Sequence, residues 1–172
     1  MQRRKFIQFA LAVPVATLLG TKVVAMVRHY PLADLLQQLK RYPADKLINH
    51  GDWPVSQILQ HLAQSVRYSR LGYPEHKSTL FHYTAGSIAF NAFAASGSMH
   101  HALNEPIPGA PSLVNKVPND VALAELIQEL EIFIAWQGDL AAHFAYGHLT
   151  KQQYYTAHYL HIQDHLKQIS LS

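Results

Sequence analysis

The sequence predicts an all-α protein, a four-helix bundle with a long crossover between its second and third helices. Three observations carry this expectation. Four segments space their apolar residues three and four apart, no segment sustains the alternation of a strand, and about fifty residues separate the second helical segment from the third. A connection of that length lets the second and third helices run parallel, which a tight hairpin does not.

The first 25 residues stand apart from the fold. "MQRRKFIQFALAVPVATLLGTKVVA" begins with positive charge, continues with an apolar stretch from Phe6 to Gly20, and ends on the small residue Ala25. That layout is an export signal. Arg3, Arg4, Phe6 and Ile7 follow the twin-arginine pattern, which implies passage through the twin-arginine translocation machinery as a folded protein. The expected cleavage lies near residue 25, leaving a periplasmic domain of residues 26–172. The alternative is an uncleaved signal that anchors the chain in the inner membrane, although the apolar run is shorter than the ~20 residues a spanning helix needs.

In the domain that follows, Pro31 opens a first helix with Leu32, Leu35, Leu36 and Leu39 on one side, ending before Pro43. A second runs from about Pro54 to Arg70 on Val55, Leu59, Leu62 and Val66. The third, from about Asp120 to Gly138, carries Leu123, Leu126, Ile127, Leu130 and Ile134, with Asp120 as its expected N-cap. Thr150 and Gln153 form a capping box that starts the fourth, whose stripe is Tyr155, Tyr159, Ile162, Leu166 and Ile169. Within the crossover, "GSIAFNAFAASGSMHHAL" suits a short extra helix before "NEPIPGAPSL" breaks regular structure.

Composition narrows the function. Apolar residues make up 49% and charged residues 15%, which suits a folded core. The pI of about 9.1 suggests a nucleic-acid partner. However, Arg3, Arg4, Lys5 and Lys22 all fall in the signal, and ten basic residues face eleven acidic ones beyond it. A basic nucleic-acid face is therefore excluded. The chain has no cysteine, so any metal must be held by His, Asp or Glu. No phosphate-cradling glycine loop or dinucleotide motif is present.

All twelve histidines follow the signal, and "HYLHIQDHLKQI" concentrates three of them. His161 and His165 are four apart and share one helix face, so both imidazoles can reach one ion. At 100° per residue they lie about 120° and about 80° from the centre of the apolar stripe, and His61 lies about 115° from that of its own helix. These are border positions that can face each other across a groove. Three neutral imidazoles there suit zinc, nickel or a similar divalent metal and leave room for water or a small-molecule substrate. The alternative is a polar seam of hydrogen-bonded histidines. His158 is open to three roles, as fourth ligand, acid/base group or buried structural residue, of which the structural one is favoured. Asp164 and Gln168 are candidates to orient the ligating imidazoles. His143 and His148 flank "FAYG" at the expected mouth of the site, and "SMHH" is a weak copper signal.

Trp53 ahead of a helix carrying His61, the long crossover, and a last helix with His161, His165 and Gln168 together resemble the DinB/YfiT-like superfamily of four-helix-bundle metalloproteins. "IPGAPSL", "AHFAYGHLTKQQY" and "AHYLHIQDHL" resemble a branch of it known only as a domain of unknown function. The resemblance implies a divalent metal, zinc or nickel, on His61, His161 and His165. Many members carry a His-His pair at the end of the motif, where this chain has Asp164 before His165. Some relatives are thiol-dependent transferases or isomerases, so a metal-dependent hydrolase or transferase is one expectation, and a homodimer is another. A non-catalytic periplasmic binding bundle is the alternative.

Overall fold

The computed structural model describes residues 30–172, and the export signal expected over 1–25 lies outside them. The chain is mostly helical with little sheet. Helix α1 spans Leu32–Leu39 and α2 spans Val55–Leu71. In the crossover, α3 (Thr79–Phe81) runs through a π-helical turn, His82–Gly86, into α4 (Ser87–Ser96). Helices α5 (Asn119–Ala135) and α6 (Lys151–Leu166) complete the set. Among the described residues no helix is long and apolar enough to cross a membrane.

The main core forms where the leucine stripes meet. Leu32, Leu39, Ile58, Leu62, Leu126, Leu130 and Phe133 are fully buried together. Each such side chain contributes about 1.5–3 kcal/mol by leaving water. Helices α2 and α5 pack most extensively. Gln57 meets Asn115, Arg67 meets Glu125 and Glu129, and Arg70 meets Glu129, so the contacts advance in the same direction along both segments and the helices run parallel.

The other face of α2 is polar and still buried, because the crossover lies on it. Gln60 donates to the Val114 carbonyl at 3.0 Å and accepts from the Val114 amide at 2.9 Å, pairing with the backbone as a strand would. Gln64 donates to the Pro111 carbonyl at 3.2 Å and the Tyr73 hydroxyl to the Ser65 carbonyl at 3.1 Å. The long connection is thus fastened over the helix that carries His61.

Three details depart from expectation. Helix α5 begins after Pro118, which leaves Asp120 in its first turn with no capping bond, and it ends at Ala135. Lys151 Nζ ends it by donating to the carbonyls of Ile134 and Trp136, satisfying acceptors a helix terminus leaves open. Ile169 is not on α6. It lies in strand β2 (Ile169–Leu171), which pairs antiparallel with β1 (Leu47–Asn49) and ties the C-terminal end of α6 to the segment before α2. The Thr150–Gln153 capping box is present as expected.

Candidate metal centre

Helices α2 and α6 cross with His61 against His161 and His165, and the crossover adds His101. One ligand atom of each of the four lies within 4.8 Å of every other, a cluster that can hold a metal ion. Nε2 of His61 is 3.2 Å from Nε2 of His161. A tetrahedral ion with bonds of about 2.0–2.1 Å would separate its donor atoms by about 3.3–3.4 Å, so that spacing fits a shared ion.

Hydrogen bonding tests the fit. A His61–His161 bond satisfies one pair of nitrogens, but His165 is 0% exposed and neither of its ring nitrogens has a partner. His61 Nδ1 is likewise buried and unpaired. Orphaned polar atoms cost about 1–3 kcal/mol each. A closed polar seam would leave that cost in place, whereas an ion would engage the lone pair of His165.

The electrostatics favour ligands. Burial lowers His61 to about 4, with help from the nearby His101, and lowers His165 to about 3 with help from His61 and His101. His161 is pushed well below the usual range by burial and by its imidazole neighbours. His101 is lowered by burial, against the opposing pull of Asp164. Neutral imidazoles keep the lone pair a cation needs.

Asp164 takes a place that spacing did not reveal. Its Oδ2 lies 3.1 Å from Nδ1 of His101 and its Oδ1 accepts from Lys167 Nζ at 2.7 Å. A carboxylate at Nδ1 holds the proton there and leaves Nε2 of His101 with its lone pair. Gln168 Nε2 is buried without a partner, and its Oε1 packs so closely on Gly51 that a Cβ there would come within 1.9 Å. His158 stays outside the four-histidine cluster. It meets Phe133 edge-on at 4.8 Å and stacks on Tyr154 at 5.4 Å, and burial lowers it to about 3.

Periodicity missed His101, because a loop residue has no helical phase. The sequence signal was "SMHH", but those residues do not act together. Met99 is buried with Tyr30 and Leu160, His100 stands exposed beside Ser98 Oγ, and only His101 joins the cluster.

A cavity of about 380 Å³ opens against the cluster, and its walls include His61, His101 and His161 together with His143, Tyr146 and His158. His148 instead borders a separate hollow beside the start of α6. No curated protein and no solved structure matches the chain. A family model described as "Protein of unknown function (DUF1569)" matches residues 26–171, and the chain belongs to that family.

Proposed function

We propose that this chain is a metalloprotein of the DinB-like kind, with α1, α2, α5 and α6 as a four-helix bundle. In this reading His61, His101, His161 and His165 hold one divalent ion, zinc or nickel. The observation that carries it is His165, fully buried among three other imidazoles with both ring nitrogens unpaired. A bound divalent ion supplies Lewis-acid polarisation to a donor atom of a small-molecule substrate.

The chain's own residues then divide the work. His165 and His61 form the rigid side of the site, Asp164 orients His101, and the cavity admits the substrate on the side lined by His61, His101 and His161. The cavity supports a hydrolase or transferase because a substrate can reach the ion from it; four imidazoles fill a tetrahedral ion, so the substrate atom would add a fifth ligand or take the place of the loop residue His101. The "RRKFI" start supports export by the twin-arginine route, with insertion of the metal before export.

The test is the metal content of tag-free protein by mass spectrometry, beside His61→Ala and His161→Ala variants shown by circular dichroism to be folded. Near one equivalent in the wild type, lost in both variants, is expected. Absence of metal from the wild type even after incubation with Zn²⁺ or Ni²⁺ overturns the reading in favour of a non-catalytic binding bundle.

A further inference from the structure

The cavity holds another histidine whose chemistry is defined by its surroundings. His143 begins a tight turn closed by its own amide to the Gly147 carbonyl at 2.8 Å and by the Gly147 amide back to its carbonyl at 3.0 Å. Gly147 adopts φ 74°, which favours glycine, and a side chain there would press on His82. The Lys77 amide donates to the Phe144 carbonyl at 2.9 Å, and His82 Nε2 lies 2.9 Å from the same oxygen. The π-helical turn closes on this loop too, since a Cβ on Gly86 would sit 2.0 Å from the Ala145 carbonyl oxygen.

The His143 ring is held as firmly as its backbone. It stacks on Tyr146 at 4.3 Å and on Phe144 at 4.7 Å, with Tyr73 tilted against it at 5.0 Å. Nδ1 accepts from the amides of Ala145 at 3.1 Å and Tyr146 at 3.2 Å. That nitrogen's lone pair is spent, so a neutral ring carries its proton on Nε2. Burial, reinforced by the neighbouring histidines, holds the ring neutral. Among the described residues no group accepts from Nε2, and the residue, 7% exposed, is part of the wall of the cavity.

We propose that His143 is the oxygen-binding donor of this cavity, its Nε2–H taking the carbonyl oxygen of a small, largely apolar, uncharged carbonyl compound. The inference rests on the cavity being the substrate site proposed above. The walls supply the rest of the selectivity. Phe81, Met99, Ile107, Phe144 and Ala157 are apolar, and the two charged side chains, Lys77 and Glu105, are of opposite sign and select no net charge. A neutral donor in such walls suits an amide, ester or ketone better than an ion.

The test uses the mature chain, with benzamide and benzylamine as probes that share a ring but differ in the carbonyl. Long-range ¹H–¹⁵N spectra are expected to show His143 as the Nε2–H tautomer, and benzamide, unlike benzylamine, to move its signal. His143→Phe keeps the ring but leaves the Ala145 and Tyr146 amides without their acceptor. If folded by circular dichroism, it is expected to bind benzamide about tenfold more weakly at unchanged metal content. The wild-type titration stands without that variant. An Nδ1–H tautomer, no benzamide binding, or binding that leaves the His143 signal in place overturns the proposal. Loss of the metal reading alone, with His143 still responding, leaves it standing.

Discussion

The carboxylate of Asp164 lies 3.1 Å from Nδ1 of His101, bringing the last helix and the crossover together at the edge of the histidine cluster. Asp164 is 4% exposed, and its other oxygen binds Lys167. Asp164→Asn keeps the shape and removes the charge that makes the imidazole a better donor. Loss of such a partner typically costs 10–100-fold in metal affinity. A weakening of about tenfold or more in a chelator competition, with the helical spectrum retained, is expected. Unchanged affinity would show that Asp164 does not act through His101.

Acid should unfold the metal-free chain early. His158 and His165 are lowered to about 3 and His61 to about 4, chiefly by burial, whereas in the unfolded chain each titrates near about 6.5. Between those limits the unfolded state binds more protons, so stability is full above about pH 6.5 and falls as pH drops toward 4. Each group contributes up to about 1.4 kcal/mol per pH unit. Together they remove a sizeable share of a domain's stability of about 5–15 kcal/mol as the pH falls. In chelator, the melting temperature should hold above pH 7 and fall steeply from pH 6 to pH 4.5. A flat profile over that interval would contradict the buried neutral state of these rings.

The parts of this architecture that were legible in the sequence are those with local period. Leu59, Leu62 and Val66 marked α2 by spacing, Thr150 with Gln153 marked the start of α6, and the four-residue step from His161 to His165 marked a shared face. What was hidden depends on residues far apart in the chain. Ile169 continues the helical stripe of α6 by number, yet it pairs with Asn49 in a two-stranded ribbon. The end of α5 at Ala135 rests on Lys151, which reaches back from the start of α6. His101 sits on a loop, so its place beside His161 follows from how the crossover is fastened over α2 by Gln60 and Gln64.

Glu129 should prove a stability residue with no part in metal binding. It is 6% exposed on α5 and accepts from Arg67 Nε at 2.8 Å and from Arg70 of α2. The Arg70 side chain is 8% exposed, and its Nε has no partner. Glu129→Ala leaves that guanidinium buried with the Trp136 ring but no carboxylate beside it, a loss of up to about 3–5 kcal/mol. Urea denaturation should show it, while any folded fraction keeps the metal content of the wild type. A change below about 1 kcal/mol would mean that water already reaches Arg70.

The four histidines should not contribute equally. His165 is fully enclosed on the body of α6, so His165→Ala removes a donor that nothing nearby can replace and opens a cavity beside His61. Its metal content should fall to background. His101 comes from a loop, and its side chain is 30% exposed, so water can enter where it leaves. His101→Ala should therefore keep the ion on three imidazoles with weaker affinity and gain an open position toward the cavity. Cobalt substitution reads this directly, because the d–d absorption of Co²⁺ distinguishes a four-nitrogen environment from three nitrogens with water. Complete loss of metal in His101→Ala would make the loop histidine as indispensable as the helical ones. Full retention in His165→Ala would place the ion elsewhere.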